Sequence, residues 1–408
     1  MEETEEIEAT ARFEPSGPDV RLLRSLTLRN ILSFGPDTPP LELRALNVLI
    51  GPNGSGKSNL LACLSLLPAM SDDISRQFRE GGSNLKDWFR KDQFPQWAEL
   101  RMTIAVNTSN SLVHQIQFTE GEYRPRIQQE SIQIQPDLLP GETDDMQVVY
   151  RADFTSLMPV VEFNGAERKG FGVDLGASIL AQLRDRTIYP SFSQLVYSYK
   201  GLAFFRDWTF GSGSPIRQPQ RADSLGNFLR EGGENLALVL NQLRRDSEAK
   251  ARIVALLNEL YEGIDDYETF VQGGYVELFL REGKQLIPAS RLSDGTLRFL
   301  CLLAILCHPS PPPLICIEEP ELGLHPDAVV AVGKLIKEAS ERTQLIVTTH
   351  SQILVDTFQD SPEDVVVVSR EDGATRMKRL DPAKLRPYLK TYSLGNLWSS
   401  GDIGGNRW

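Results

Sequence analysis

A glycine-rich stretch at residues 51–59, GPNGSGKSN, has the residue types and spacing needed to bind a nucleoside triphosphate. It matches the pattern G-x-x-x-x-G-K-[ST] and lies between an apolar run and a leucine-rich run, which predict a strand and a helix. In this pattern backbone N–H groups surround phosphate oxygens, the lysine reaches the terminal phosphates and the serine hydroxyl ligates Mg²⁺. The alternative is a glycine-rich turn that binds nothing. The residues that we expect to contact the nucleotide are Asn53, Gly54, Ser55, Gly56, Lys57, Ser58 and Asn59.

Two adjacent carboxylates, Glu318 and Glu319, follow the apolar run at residues 314–317. Ligands of open α/β sheets bind at the carboxyl ends of the strands, where catalytic carboxylates are therefore expected. Side chains alternate along a strand, so the two carboxylates cannot do the same work. We expect one to hold Mg²⁺, directly or through water, and the other to activate a water that attacks the terminal phosphate. The alternative is a solvated acidic turn before the helix that begins near Pro326.

His350 ends a third apolar run, at residues 344–348, and is one of four histidines in the chain. At the end of a core strand, its imidazole can reach a terminal phosphate or the attacking water. The alternative is a core histidine that a neighbouring side chain satisfies.

The stretch RLSDGTLRFL at residues 291–300 places Ser293 and Gly295 just before a helix that is apolar on nearly all sides. Such a helix is buried, and its N-terminus is an anion site because it carries free N–H groups. Ser293 is also a good N-cap, so plain capping is the alternative. Capping does not explain why a chain with one triphosphate loop should carry a second anion site.

The order of the surrounding elements predicts a parallel α/β sheet with an inserted region. Pro68 is expected to end the helix that follows the glycine-rich loop, and Gly273-Gly274 predicts a β-hairpin. Short alternating runs predict an antiparallel subdomain at residues 96–164. Strands are expected at residues 22–28, 46–50, 314–317 and 344–348, and helices at residues 57–67, 179–184, 235–262, 296–308 and 326–340.

The four motifs in this order resemble the ABC-type ATPases, and most closely the RecF-like and SMC-head branch and bacterial AAA family predicted ATPases. The resemblance covers residues 20–70 and 285–370, and the closing stretch YSLGNLWSSGDIGGNRW is similar to the tail of the predicted-ATPase group. It implies an α/β P-loop NTPase fold, with an ABC-ATPase-like head, an antiparallel β subdomain and a helical insertion. In those families two heads enclose two ATP molecules, and the signature loop of one head contacts the γ-phosphate held by the other.

By this resemblance the protein is an ATP hydrolase that uses ATP and Mg²⁺ and forms a homodimer through an ATP sandwich. Glu319 would be the general base, His350 the switch histidine, and Ser293 with Gly295 the contacts made in trans. The implied metal ligands are Ser58, Glu318 and Gln182, with Gln194 as the second choice for the glutamine. The sequence departs from the family pattern at Asp294, where transporters carry Gly, and at Glu318, which is one methylene longer than the usual Asp.

Composition predicts a cytoplasmic protein with an acidic end. The net charge is −12, and residues 1–20, with six Glu, one Asp and one Arg, predict a disordered tail. The sequence has no signal-peptide pattern and no apolar run long enough for a bilayer, so no membrane partner is expected. The four cysteines lie in apolar runs and are expected to be reduced core residues.

The expected domain organisation is an acidic tail at residues 1–20 and an ATPase domain at residues 21–408. Its core comprises residues 21–70 and 285–380, and its insertion residues 71–284, β-rich at 96–164 and helical at 178–262. Residues 381–408 form a tail rich in glycine and tryptophan.

Two functions from different classes fit these residues. In the first, ATP-driven dimerisation works on nucleic acid, in repair or in defence against phage; the basic and aromatic run at residues 76–91 would then follow a DNA backbone. The alternative for that run is a solvated loop with buried aromatic rings. In the second, a slow ATPase is a nucleotide-gated scaffold that holds and releases an effector protein of the nuclease type. A transporter subunit is a distant third, and no carboxylate cluster after His350 indicates a nuclease within the chain.

Overall fold

The structure is a computed structural model that describes residues 19–79, 83–91, 97–106, 110–122, 124–136, 146–155, 160–168, 172–224 and 226–405. The acidic segment for which we predict disorder lies outside these residues, apart from its last two positions. Within the described ranges, none of the helices combines the length and the apolar character that crossing a bilayer requires.

The strands are β1 (Leu23–Arg29), β2 (Leu41–Glu42), β3 (Leu46–Ile50), β4 (Trp97–Ala105), β5 (Asn110–Thr119), β6 (Arg126–Pro136), β7 (Gln147–Asp153), β8 (Val160–Phe163), β9 (Ala166–Glu167), β10 (Leu202–Phe205), β11 (Gln220–Arg221), β12 (Ile264–Gln272), β13 (Tyr275–Glu282), β14 (Gln285–Pro288), β15 (Leu314–Glu318), β16 (Gln344–Thr349), β17 (Val365–Glu371) and β18 (Ala374–Arg379). The α-helices are α1 (Lys57–Met70), α2 (Ile74–Arg79), α3 (Ile179–Gln182), α4 (Pro190–Lys200), α5 (Leu236–Leu243), α6 (Ser247–Leu260), α7 (Asp294–Leu306), α8 (Pro326–Ala339), α9 (Gln352–Asp356), α10 (Pro382–Leu385) and α11 (Leu394–Ser399).

The chain divides into two compact units. The first unit comprises Met1–Ala45, Gly51–Leu202 and Val367–Lys378. The second comprises Leu46–Ile50, Ala203–Val366 and Arg379–Trp408. The domain boundaries expected from the sequence follow a different criterion and stay a prediction.

The second unit is built on a parallel sheet, as the sequence predicts. Strands β15, β16 and β3 lie side by side in that order and run parallel. Every residue of β3 and of β16 is buried, because a central parallel strand is covered on both faces. β10 lies next to β15, and β17 lies next to β3.

Two helices of the second unit differ in how much of their surface is buried. Residues 296–306 of α7 are all buried, which agrees with a helix that is apolar on nearly all sides. In contrast, α8 is amphipathic: it buries a single stripe that includes Val329, Val332 and Ile336, and it begins at Pro326, where a missing N–H costs no helical hydrogen bond.

The first unit contains the antiparallel sheet predicted for residues 96–164. Its strands follow the order β2-β1-β4-β5-β6-β7-β8-β9. Consecutive strands from β4 to β9 pair antiparallel. The antiparallel subdomain is therefore confirmed.

The predicted hairpin at Gly273-Gly274 joins β12 to β13 in the second unit. Gln272 pairs with Tyr275, so the loop has two residues, with φ of 59° at Gly273 and 81° at Gly274. Left-handed conformations at both loop positions match the right-handed twist of the strands, and glycine adopts them without strain.

Two details of the predicted helices are wrong. Pro68 does not end α1, which continues to Met70, because a proline in the last turn removes only one backbone hydrogen bond. Residues 235–262 do not form one helix but two, α5 and α6, because Asp246 accepts hydrogen bonds from the N–H groups of Glu248 and Ala249 and begins a new helix there.

The C-terminal segment packs against α9, the helix that follows His350. Leu394, Leu397 and Trp398 of α11 are buried, and the Gly395 N–H donates to the Asp356 carboxylate at 2.6 Å. The glycine- and tryptophan-rich tail is therefore part of the second unit as far as residue 405, where the described residues end.

Candidate functional site

The glycine-rich loop leads from β3 into α1. Gly56 is the N-cap of α1 with φ of 114°, and the helix begins at Lys57. The Lys57 side chain is buried, and its ammonium donates to the carbonyl oxygens of Gly51 at 2.7 Å and Pro52 at 3.1 Å. The predicted strand, loop and helix are thus present in the predicted order.

Close packing requires glycine at two positions of this loop. A Cβ atom at Gly51 would lie 2.1 Å from the Val368 carbonyl oxygen, and one at Gly56 would lie 2.2 Å from Thr375 Oγ1. Neither separation is compatible with a side chain, so the loop can keep this path only with glycine at both positions.

Two hydroxyl groups that the sequence analysis missed support the loop. Thr375 Oγ1 donates to the Ser55 carbonyl at 2.8 Å and lies 2.7 Å from Ser33 Oγ. The Asn59 amide donates to Ser33 Oγ at 2.7 Å. Asn59 therefore supports the loop through Ser33, and its contact with the nucleotide stays a prediction. No local pattern around Ser33 or Thr375 indicates these contacts.

The carboxyl ends of three parallel strands are in register in the second unit. Glu318 pairs with Thr348, and Thr349 pairs with Ile50. The next residue of each strand is one that the motifs single out: Glu319 after β15, His350 after β16 and Gly51 after β3. The three motif residues therefore directly follow the carboxyl ends of neighbouring strands.

Glu319 and His350 lie side by side. Glu319 Oε1 is 3.3 Å from His350 Nε2, and the two side chains are 28% and 33% exposed. Glu319 has φ of 46°, a left-handed conformation that is uncommon for a residue other than glycine and that often marks a functional site. Its N–H donates to the Thr348 carbonyl at 3.0 Å. The arrangement leaves a carboxylate and an imidazole accessible to solvent at the strand ends.

A buried arginine holds the Glu319 backbone from the other side. Arg298 is the charged residue among the buried residues 296–306 of α7, and its guanidinium donates to the Glu319 carbonyl at 2.9 Å. The guanidinium lies 5.3 Å from the Trp208 ring centroid, within cation–π range, and burial lowers its pKa. A charge inside an apolar helix was the sequence signal for this residue, because such a charge needs a partner.

Glu318 has a different partner from Glu319, as alternation along a strand requires. Its carboxylate accepts a hydrogen bond from Arg206 Nε at 3.1 Å, and both side chains are largely buried. The separate roles of the two carboxylates stay predictions. Arg206 lies in the inserted region and belongs to no recognisable motif, so no sequence pattern indicates this pair.

A third carboxyl group, Glu321, fixes the backbone at His350. Its Oε1 accepts hydrogen bonds from Thr349 Oγ1 at 2.6 Å and from the His350 N–H at 2.9 Å. Among the described residues, no hydrogen-bond partner lies near the buried Oε2 atom. Burial raises the pKa of this carboxyl group.

Residues 289–295, which we call the signature loop, lead into α7, and Ser293 caps this helix. Ser293 Oγ accepts a hydrogen bond from the Thr296 N–H at 3.1 Å, so the capping that the sequence offered as an alternative is present. Ser293 and Asp294 are exposed. A Cβ atom at Gly295 would lie 2.6 Å from the Gly323 carbonyl oxygen. The contact of Ser293 and Gly295 with a second nucleotide stays a prediction.

The glutamine proposed as a metal ligand is engaged locally. Gln182 Oε1 accepts from the Asp174 N–H at 2.9 Å, and its amide donates to the carbonyl oxygens of Ala177 at 2.7 Å and Asp174 at 3.0 Å. These bonds close the turn that precedes α3. The metal-ligand role of Gln182 stays a prediction that these contacts do not support.

The remaining donors suit Mg²⁺. The Ser58 hydroxyl and the Glu318 carboxylate are hard oxygen donors of the kind that Mg²⁺ prefers, and their role as its ligands stays a prediction. Among the residues that the structure describes, no group of three or more His, Cys, Asp or Glu side chains is placed to hold a metal. A site completed by phosphate needs no such group.

The basic run at residues 76–91 does not present aromatic rings to solvent. Phe78 is 1% exposed, Trp88 7% and Phe89 2%. The Phe78 ring packs against Trp88, and the rings of Phe78 and Phe89 both pack against Phe118. Stacking of DNA bases on these rings is therefore excluded by their burial, and the alternative of buried aromatics is correct.

The fold is that of solved SMC head domains. The chain is similar to the structure titled "Crystal structure of the SmcHead bound to the C-winged helix domain of ScpA", with a TM-score of 0.52 and 14% identity over 89% of this chain and 99% of that one. It is also similar to an Smc head domain with an extended coiled coil from Pyrococcus furiosus, bound to the C-terminal domain of ScpA, with a TM-score of 0.50 and 14% identity over 90% and 98%.

A family model described as "AAA domain, putative AbiEii toxin, Type IV TA system" matches residues 46–356, which is more than half of the chain. The chain belongs to this family. None of the curated proteins matches it. Membership implies nucleotide binding, usually with Mg²⁺, and the fold supports ATP binding and hydrolysis in general.

Proposed function

We propose that the protein is a Mg²⁺-dependent ATP hydrolase that closes as an ATP-sandwiched homodimer. The observation that carries the proposal is the placement of Glu319, whose carboxylate is solvent-accessible and 3.3 Å from His350 at the aligned strand ends. The neighbouring strand β3 leads directly into the glycine-rich loop. A carboxylate next to an imidazole at this edge of the sheet suits the activation of a water for attack on a phosphate.

Each residue of the loop and strand ends has a distinct role in this proposal. The Lys57 ammonium, now bonded to the Gly51 and Pro52 carbonyls, moves to the β- and γ-phosphate oxygens when ATP binds. Ser58 and Glu318 supply oxygen ligands for the metal. Held by these two side chains, Mg²⁺ would supply positive charge that offsets the negative charge of the phosphate. Glu319 accepts a proton from the attacking water, and His350 orients the same water or the γ-phosphate.

The signature loop serves the nucleotide of the facing subunit. Ser293 and the N-terminal N–H groups of α7 form an exposed anion site. In this proposal the loop between β3 and α1 binds the chain's own triphosphate, so the second anion site is left to contact the triphosphate bound by the facing subunit. The proposed dimer therefore contains two composite sites, each with the P-loop of one chain and the signature loop of the other.

The proposed ATP cycle works either on nucleic acid or on a protein partner. Burial of Phe78, Trp88 and Phe89 removes the stacking surface that DNA binding through residues 76–91 would need. The tip of the β12–β13 hairpin exposes Phe270, Val271 and Tyr275 by 43%, 61% and 47%, and such apolar residues suit a protein surface better. The SMC head of the first similar structure is bound to a domain of ScpA, which supports a scaffold role in the same way.

DNA-dependent turnover separates these two functions. If the cycle works on nucleic acid in repair or phage defence, the steady-state hydrolysis rate rises when DNA is added. If the protein is a gated scaffold for an effector, the rate stays slow with DNA and changes with the partner protein.

The test of the hydrolase is the variant Glu319→Gln. Without the base, the chain should bind ATP and accumulate as a dimer, while turnover falls by about 100-fold or more. ATP binding is measured by calorimetry, mass by light scattering and turnover by phosphate release. Glu341→Gln, at an exposed position, is the matched control. If Glu318→Gln blocked turnover and Glu319→Gln did not, the roles of the two carboxylates would be reversed.

A further inference from the structure

A buried arginine from the inserted region binds the whole length of the signature loop. Arg217 lies in the short 3₁₀ turn Pro215–Arg217, and its side chain is 7% exposed. Its NH1 donates to the carbonyl oxygens of Leu292 at 2.6 Å and Ala289 at 3.2 Å, with Ser290 O at 3.5 Å. Three backbone carbonyl groups in the four residues before Ser293 thus point to one guanidinium.

The other two nitrogens of Arg217 bind at both ends of this contact, which we call the Arg217 bracket. Nε donates to the Phe210 carbonyl at 2.8 Å, which anchors the guanidinium to its own segment. NH2 donates to the Asp294 carboxylate. Only arginine offers donors in a planar fork of this reach, and a lysine ammonium has one donor centre.

The ion pair also answers the question raised by Asp294. A carboxylate at this position would repel a phosphate that approaches Ser293 and Gly295. Asp294 lies in the first turn of α7, where a negative charge suits the helix, and Arg217 balances that charge within hydrogen-bond distance. The loop can therefore carry an acidic residue and still accept an anion.

We propose that Arg217 is a positioning residue that fixes residues 289–294 so that Ser293 and Gly295 meet the nucleotide of the facing subunit. This inference rests on the proposed sandwich dimer. It gives the inserted region a part in the ATPase cycle, because the segment around Arg217 lies between the P-loop and the signature loop in sequence and belongs to neither motif.

The first experiment measures the loop directly in the full chain. In Arg217→Gln, backbone amides of residues 289–296 should exchange with deuterium faster than in the wild type, while amides of β3 and β16 exchange as before. Arg221→Gln is the matched control, because Arg221 lies four residues further along and its guanidinium donates to the exposed Asp223 carboxylate. Unchanged exchange at residues 289–296 in Arg217→Gln would overturn the inference without any reference to dimerisation.

The second experiment measures dimerisation in a Glu319→Gln background by sedimentation with ATP. Arg217→Gln should weaken the dimer by at least about tenfold, since several hydrogen bonds to a charged group are lost. The ATP affinity of the monomer should stay within about twofold, because its own P-loop is intact. Asp294→Asn keeps the backbone bonds and should weaken the dimer by less than about threefold.

The outcomes separate this inference from the proposed function. If the Glu319→Gln parent does not dimerise with ATP, the sandwich model fails, and the exchange measurement alone decides whether Arg217 holds the loop. If Arg217→Gln loses monomer ATP affinity as well, or if Asp294→Asn is as severe, the bracket is overturned. Mixtures of inactive chains give a further test. Arg217→Gln should recover hydrolysis when mixed with Lys57→Ala, whose signature loop is intact, and not when mixed with Ser293→Arg, whose signature loop is altered. General damage to the fold does not produce this pattern.

Discussion

Three carboxyl groups lie within four residues of sequence, and each is held by a different neighbour. Glu318 pairs with Arg206, Glu319 faces His350, and Glu321 accepts from Thr349 and from the His350 backbone. Burial raises the pKa of the Glu321 carboxyl group.

Glu321 therefore makes stability depend on pH in a defined direction. The folded chain holds the Glu321 proton more tightly than the unfolded chain, in which the pKa is near 4.5. The stability from this group is complete below that pH and is lost as the pH rises through the raised pKa. Glu321→Gln carries no titrating proton, so its unfolding free energy should decline less steeply between about pH 4 and pH 8.

The measurement is urea unfolding of both proteins across that pH range. Glu341→Gln at the surface is the control and should follow the wild type. Equal pH slopes for Glu321→Gln and the wild type would mean that the Glu321 carboxyl group titrates alike in the folded and unfolded chains.

At the same scale, motif residues were predictable and their partners were not. Lys57, Glu319 and His350 are recognisable because each follows an apolar run in a fixed local pattern. Arg206 is 112 residues from Glu318, and Arg217 is 77 residues from Asp294, with no pattern between them. Local spacing carries no information on which distant side chain the fold brings to a motif.

At the scale of elements, the predicted strands at residues 46–50 and 344–348 are confirmed to within a residue because a buried parallel strand is a continuous apolar run. The predicted helix at residues 235–262 was wrong because its apolar pattern continues across the turn that Asp246 caps. For the aromatic rings at residues 78–89 the sequence left a DNA-binding surface and buried rings as alternatives, because composition alone does not tell which side of a short helix is buried.

Packing between two turns makes a prediction about the signature element. Gly295 in the first turn of α7 lies against Gly323 in the turn after β15, and a Cβ there would be 2.6 Å from the Gly323 carbonyl oxygen. In Gly295→Ala the two turns must separate, at a cost of about 1–3 kcal/mol for overpacking. We expect a lower melting temperature, retained ATP binding and weaker ATP-dependent dimerisation.

Gly211→Ala is the control for this substitution, because none of the residues that the structure describes has an atom within 4 Å of a Cβ at Gly211. Melting is followed by calorimetry and dimerisation by sedimentation in the Glu319→Gln background. Dimerisation of Gly295→Ala at wild-type strength would mean that the turn after β15 does not set the position of the signature loop.

At the scale of the whole molecule, the sandwich requires two loops of one chain to contact different nucleotides: the loop with Lys57 binds the chain's own ATP, and the loop with Ser293 contacts the ATP of the facing subunit. Lys57 lies in the first unit and Ser293 in the second, so a lesion in either can be tested in a chain whose other motif is intact. Ser293→Arg should bind ATP as a monomer but neither dimerise nor hydrolyse, because a bulky cation blocks the facing γ-phosphate. Lys57→Ala should lose ATP binding, because it lacks the positive side chain on the β- and γ-phosphates.

Mixing these two inactive proteins tests the sandwich. In a mixed dimer, one composite site combines the intact P-loop of Ser293→Arg with the intact signature loop of Lys57→Ala, and the other site carries both lesions. If one good site suffices for closure, mixing restores hydrolysis to at most about half of the wild-type rate per dimer. Phosphate release from each protein alone and from their mixture measures this, and a mixture of Ser293→Arg with wild type controls for subunit exchange. Full hydrolysis by Ser293→Arg alone, as a monomer, would refute the sandwich and leave Ser293 as the N-cap of α7.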